Sequence, residues 1–238
     1  MPSFWFRHAI ISVVPARATE FSSATEDYAK AIFALQAELG GPVSTTALAD
    51  RLGVTPGSAS GMLKRLHEHG LVAHRRYRGV VLTDEGRRVA LRVLRHHRLL
   101  ETYLAQSLGV PWDRVHEEAE VLEHVLSDEL EALIAAKLGH PTHDPHGDPI
   151  PSAELVLEDR PCECLASLDA GATGVLARVS DADPEMLRYL AARGIAPGAR
   201  FEVLERQPFG GPLFVRFGDA VHVLGGELAA AMSVERGA

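Results

Sequence analysis

The chain has almost no cysteine. Of its 238 residues only Cys162 and Cys164 carry a thiol. Their C-x-C spacing is too short for the C-x2-C pair of a zinc site and poor for a disulfide, so two reduced thiols in a cytoplasmic protein are expected. A long hydrophobic run is also missing. No apolar stretch approaches the ~18 residues that span a bilayer, and no membrane partner is expected. The segment "FWFRHAIISVVPARA" holds only a short apolar patch interrupted by proline, which suits a disordered arm over residues 1–22 or an upstream start better than a secretory signal. Net positive charge is the third lack. At −8 the chain taken whole argues against nucleic acid, yet binding depends on where the charge sits rather than on its sum.

Counted by segment, the charge divides. Residues 55–82 carry Lys64, Arg65, Arg75, Arg76 and Arg78 against one acid, Glu68, a balance of +4. Residues 113–131 carry eight acids against Arg114 alone, a balance of −7. With 46% hydrophobic and 24% charged residues the composition is that of a globular chain, and its length allows two or three small domains. A basic module is followed by an acidic helical one.

In the basic module, "TEDYAKAIFALQAEL" sets Tyr28, Ile32, Leu35 and Leu39 at helical spacing behind Ser23 or Thr25 as N-cap, and Gly40 and Gly41 end the run. "STTALADRLGV" places Leu48 and Leu52 on one helical face before a Gly53 turn. "TPGSASGMLKRLHEHG" then opens with Thr55 as N-cap and Pro56 at the first helical position. After Gly70, "LVAHRRYRGVVLT" reads as two short strands joined by an arginine-bearing turn. Helix, turn, helix and wing make a winged helix-turn-helix, whose second helix enters the major groove. Thr55, Ser58 and Ser60 are its candidates for base edges or phosphate, Lys64 and Arg65 for phosphate, and Arg75, Arg76 and Arg78 for the backbone or minor groove. Gly57 and Gly61 offer no side chain, so specificity is expected to lean on DNA shape and symmetric half-sites.

The acidic module raises a different question, because "HEEAEVLEHVLSDE" reads as a helix with an unusual load of carboxylates. By helical geometry His116, Glu120, Glu123 and His124 fall within about a quarter of the circumference, beside the apolar stripe of Val115, Ala119, Leu122 and Leu126. On the preceding long helix, "DEGRRVALRVLRHHRLLETYLAQSLG", His97 and Glu101 stand one turn apart. Carboxylates at the margin of a packed surface are costly without a cation, whereas a solvated face would lie opposite the stripe, as Glu118 does. The spacing predicts a metal site.

From about residue 24 to 151 the chain resembles the DtxR/MntR family of metal-dependent transcriptional repressors. The resemblance rests on "TEDY", the winged helix, "RHHRLLE", "HEEAEVLEHVLSDE" and "PHGDPIP", in that order. It implies a homodimer formed by two helices, a palindromic operator in double-stranded DNA, and a divalent ion tying the first helix to the dimerisation domain. Carried onto this chain, it implies a primary site of Asp27, Glu120, Glu123 and His124 and a second site of His97, Glu101 and His116. Iron-sensing members have Met where this chain has Asp27 and Cys where it has Glu120, and the hard oxygen donors here suit Mn(2+) or Fe(2+). Lys30 stands where two-ion manganese sensors have an acid, so two separate sites are expected.

Beyond the proline- and histidine-rich linker "HPTHDPHGDPIP", apolar and polar residues alternate between glycine turns, with one short helix at "PEMLRYLAARG". This part resembles an FeoA or SH3-like barrel. That resemblance implies a further ligand to the second ion from "SDADPEM", Asp183 first and Glu185 second, although Asp183 before Pro184 also suits a helix cap. The expected fold is mainly α with small β parts. A winged helix-turn-helix domain (23–88) is followed by a helical metal-binding and dimerisation domain (89–150) and an SH3-like β-barrel (151–238). The expected function is a cytoplasmic, Mn(2+)- or Fe(2+)-dependent repressor of metal-homeostasis genes, and not an enzyme. A carboxylate-bridged di-metal enzyme would need Glu-x-x-His pairs on two helices, and Val121 stands where one such Glu would be. A metal-storage module would leave the arginine wing unexplained.

Overall fold

Ser22 opens the first helix of the computed structural model, which describes residues 21–75, 79–158 and 160–237. Its side chain accepts from the Thr25 amide, and α1 runs over Ser23–Leu39 to a left-handed Gly40. The cap therefore precedes both residues expected for it, since Ser23 and Thr25 lie inside the first turn. Of the arm expected over residues 1–22, positions 1–20 fall outside the described residues, as do Arg76 and Arg78 of the wing, whereas Phe21 packs against the core of this module and Ser22 is the cap.

Local signals shape the rest of this module. Ser44 caps α2 (Thr45–Leu52), Gly53 turns the chain, and Thr55 with Pro56 starts α3 (Pro56–Glu68). Strands β1 (Val72–Arg75) and β2 (Gly79–Leu82) pair antiparallel. Ile32, Leu48, Leu63, Leu66, Leu71 and Val80 close the core between them. Val43 exchanges two backbone hydrogen bonds with Val80. That close approach requires Gly79: at φ +107° a Cβ there would lie 2.0 Å from the Val43 carbonyl oxygen.

Thr83 caps α4 (Asp84–Leu108), a 25-residue helix about 38 Å long that leaves the winged module and enters a second core. There Leu99 and Leu100 pack with Ala119, Leu126, Ile134 and Ala135 of α5 (Val115–Leu122), α6 (Asp128–Lys137) and the turn between them. The uninterrupted helix expected through residues 116–129 is instead broken by a turn at 123–125. Ser127 explains the restart: it caps α6 and sets Asp128, Glu129 and Glu131 at that helix's positive end. Arg92 to Asp128 at 2.5 Å and Arg95 to Glu131 at 2.6 Å then fasten α6 to α4.

The C-terminal part is a six-stranded antiparallel sheet in the order β3-β8-β4-β5-β6-β7. Its strands are β3 (Glu163–Cys164), β4 (Thr173–Val179), β5 (Arg200–Arg206), β6 (Leu213–Phe217), β7 (Ala220–Leu224) and β8 (Met232–Arg236). Two short helices, α7 (Pro184–Ala191) and α8 (Gly226–Ala230), interrupt them. Register shifts in β4 and β5 bend the sheet around Leu176, Val203, Val215, Leu224, Met232 and Val234. Among the contacts that seat it on the preceding part of the chain are three hydrogen bonds. The Val179 amide donates to the His146 carbonyl at 2.9 Å, Trp112 Nε1 to the Leu187 carbonyl at 3.2 Å, and Arg188 to Asp113 at 3.1 Å. Gly147, at φ +91°, passes so close to β4 that a Cβ would meet the Ala177 carbonyl oxygen at 1.9 Å. No described helix is long and apolar enough to cross a membrane.

Candidate metal centre

Because the chain leaves α5 after Leu122, Glu123 turns inward and is buried, while Glu120 on the last turn of α5 stays half-exposed. Glu123 Oε2 lies 2.5 Å from His97 Nδ1, and its Oε1 lies 2.5 Å from Lys30 Nζ. Lys30 also reaches Glu120 Oε2 at 2.8 Å. His124, in the same turn, faces α1: its Nδ1 donates to Glu26 Oε2 at 2.7 Å, and its Nε2 lies 2.8 Å from Asp27 Oδ1.

Asp27 Oδ1 is buried without a hydrogen-bond partner, although His124 Nε2 is so close. Glu123 Oε1 lies 3.5 Å from that nitrogen, and Lys30 neutralises Glu123 and Glu120 but leaves Asp27 Oδ1 an orphaned carboxylate oxygen beside an imidazole nitrogen. Asp27, Glu123 and His124 place ligand atoms within 4.8 Å of one another. These residues fit a divalent ion: two oxygens and one nitrogen, from α1 and from the turn at 123–125, with no thiolate. Glu120 joins the group through Lys30, and its ligand atom also gathers with those of His97 and His116.

A second group lies at the seat of the barrel. Glu101 is buried, and its Oε1 lies 3.0 Å from His97 Nε2 and 3.3 Å from His116 Nδ1. The barrel supplies Asp181, whose Oδ2 is 3.1 Å from His116 Nδ1. On its other oxygen Glu101 faces His146 Nδ1 at 3.8 Å. His146 donates from Nε2 to the Trp112 carbonyl at 2.8 Å, which leaves its buried Nδ1 without a hydrogen-bond partner. Asp144 completes a wholly buried trio with Glu101 and His146. The orphaned Nδ1 between two buried carboxylates fits a cation as Asp27 does. His97 touches both groups, one ring nitrogen on each.

The acids expected from the barrel are not the ones that reach this group. Asp183 accepts from the Glu185 amide at 2.8 Å and caps α7, and the Glu185 side chain is 88% exposed. Asp181, two residues earlier, takes the place, because Asp183 before Pro184 is committed to the helix start. Sequence reasoning also missed Glu26 and Asp144, and it takes the three linker histidines, His146 among them, for part of a polar turn linker rather than for ligands. Asp144 and His146 lie in the histidine-rich linker, whose composition was the available signal.

The electrostatics follow from burial and crowding. Burial pulls the His97 imidazole down, but the Glu101 and Glu123 carboxylates outweigh it and push it up to about 9. Asp181 and Glu101 push His116 up to about 10. Burial, then the facing Glu101, pushes Asp144 up to about 7. Glu101 is held well below the usual carboxylate range by its three histidines, against the burial that would raise it. Raised imidazoles stabilise the fold fully below their unfolded value near 6.5, and the contribution is lost as pH rises through 9 to 10. In chelator the thermal midpoint should therefore fall between pH 6.5 and 10. A midpoint flat across that window would mean that the pairs contribute nothing.

On the winged module, Thr55 accepts from the Ser58 amide at 3.2 Å, and the two hydroxyls meet at 2.9 Å. Thr55 thus caps α3 at its exposed start and holds the Ser58 hydroxyl beside it. Ser60, Lys64 and Arg65 project from the outer face of α3, and Arg75 ends β1 exposed.

Comparison with protein-family models gives three successive matches. They are the N-terminal DNA-binding domain of iron-dependent repressors over residues 20–80, their metal-binding and dimerisation domain over 83–152, and the FeoA domain over 164–236. The iron-dependent repressor IdeR of Mycobacterium tuberculosis is 32% identical over 229 residues, covering 91% of this chain and 99% of that protein. A solved structure of a manganese-dependent transcriptional repressor in complex with manganese is 47% identical, with a TM-score of 0.82 over 89% of this chain and 99% of the other. The structure of the manganese regulator SloR is 29% identical, with a TM-score of 0.72 over 90% and 98%.

Proposed function

Because the chain belongs to the family of iron-dependent repressors, we propose that it is a DNA-binding transcriptional repressor that uses Mn(2+) or Fe(2+) as co-repressor. The observation that carries this reading is the orphaned Asp27 Oδ1: a residue of α1, in the DNA-binding module, completes a ligand set otherwise built by the helical core. Asp27, Glu120, Glu123 and His124 hold the primary ion. A second ion is held by Glu101 and His116 with Asp181, Asp144 and His146 around them, and His97 stands between the two sites. A bound ion supplies the positive charge that lets these carboxylates face one another.

The chain's own residues do the rest. Asp27 and Glu26 fix α1 to the turn at 123–125, so the winged module loses freedom relative to α4–α6 before it meets DNA. That loss is then not charged to DNA binding. Val121, Val125 and Leu133, from α5, α6 and the turn between them, are each more than 60% exposed, and a second copy docking there would cover them. Two winged modules so joined would meet a palindromic operator about one helical turn apart. The outer face of α3 and the wing arginines contact phosphates more than bases, because Gly57 and Gly61 present no side chain. An intracellular setting follows from this role, as does the absence of catalysis.

The test is equilibrium binding to a palindromic duplex titrated with Mn(2+), Fe(2+) and Zn(2+) at fixed ionic strength. Mn(2+) or Fe(2+) should each restore specific binding after chelation, and affinity unaffected by any ion would defeat the reading. Log affinity should also fall with log salt by about 0.9 per phosphate contact, and Lys64→Ala should shallow that slope by about one contact. An unchanged slope would place Lys64 off the DNA. For the second site, Asp181→Ala should cost one ion in calorimetry. Asp183→Ala should keep both ions and cost only a helix cap, about 1 kcal/mol. The reverse outcome would restore Asp183 as the ligand.

A further inference from the structure

We infer that Glu26 is a positioning residue for the primary site, holding His124 in the one tautomer that can offer Nε2 to an ion. The inference rests on the reading of His124 as an ion ligand. Glu26 is 6% exposed, an unusual place for a glutamate whose ion-pair partner among the described residues is the His124 imidazole. Its Oε2 lies 2.7 Å from His124 Nδ1, and a carboxylate there requires the proton on Nδ1. The lone pair is thereby fixed on Nε2, the nitrogen beside Asp27 Oδ1 and Glu123 Oε1.

The arrangement has a second consequence. Glu26 and Asp27 are consecutive on α1, about 100° apart around the helix. One faces Nδ1 of His124 and the other Nε2, so a single turn of α1 grips the imidazole from both sides. The same helix thus supplies one ligand and orients another. A carboxylate on the far nitrogen also makes the imidazole a stronger donor, and removing such partners typically lowers metal affinity about 10- to 100-fold. The grip of α1 on His124 is then a two-point contact, of which Asp27 is only one.

Three variants and one spectrum test this in the full-length protein. Mn(2+) calorimetry on Glu26→Ala should show the primary-site affinity down about 10- to 100-fold, with the second site unchanged. Glu26→Gln, which keeps an oxygen to accept from Nδ1, should recover most of the loss. A residue that merely fills space would make the two variants alike, or would leave primary-site affinity intact, and either result overturns the inference. His124→Ala separates the premises: if it keeps both ions, the primary site itself is misplaced, whereas loss of one ion there with none in Glu26→Ala refutes only the role of Glu26. Should the alanine variant fold poorly, nitrogen-15 spectra of the wild-type protein loaded with diamagnetic Zn(2+) decide. His124 must show a protonated Nδ1 and a metal-bound Nε2, and metal on Nδ1 rules the proposal out.

Discussion

Glu123→Ala will bind one ion per chain instead of two, and its duplex affinity in saturating Mn(2+) will drop to the level seen in chelator. The reason is the number of contacts gathered on one buried carboxylate: Lys30 at 2.5 Å, His97 at 2.5 Å, and the Asp27–His124 pair on its other flank. Its loss removes a ligand and at once leaves buried cationic partners short of an anion. That should cost about 3–5 kcal/mol of stability in the metal-free protein. If the ion and DNA are coupled as typical effectors are, the loss of duplex affinity should be about 5- to 150-fold. Calorimetry and thermal unfolding read both effects. Two ions bound with wild-type affinity would show that the primary site lies elsewhere.

Lys30→Met should move two properties in opposite directions. The Lys30 ammonium lies between Glu120 and Glu123, and together they outweigh the burial that would lower its pKa, which stands raised. Without it, Asp27, Glu120 and Glu123 repel one another in chelator, and the metal-free protein should lose about 3–5 kcal/mol. Mn(2+) then meets no internal competitor, and its affinity should rise about tenfold or more, a change of roughly 1.4 kcal/mol. The rise in thermal midpoint on adding Mn(2+) would be larger than in the wild type. An unchanged Mn(2+) affinity would place Lys30 outside the surroundings of the ion.

What could be read in the residues, and what could not, divides by range. The winged module was legible because its signals are local: Thr55 with Pro56 starts α3, Gly53 turns the chain before it, and the apolar period of α1 continues to Gly40. The paired spacing of His97 with Glu101 also survived, because both sit within one helix. The break at 123–125 was hidden, since a 3.6-residue period runs through it unaltered. Only the demand that Glu123 reach both His97 and Lys30 shows why the chain must leave the helix there. Asp181 was missed by two residues for a similar reason. The local rule for Asp before Pro correctly makes Asp183 a cap, but nothing local says which acid will face His116 across the barrel seat. Asp144 and His146 depend on Glu101, which approaches them only once α4 and the linker have packed.

If ion and operator are linked through α1, the linkage is reciprocal. The most direct measurement is therefore the Mn(2+) affinity of the primary site with and without saturating palindromic duplex, in protein whose second site has been removed by Asp181→Ala. Duplex should tighten Mn(2+) binding by the same factor by which Mn(2+) tightens duplex binding. A Mn(2+) affinity indifferent to the duplex would contradict the linkage through α1.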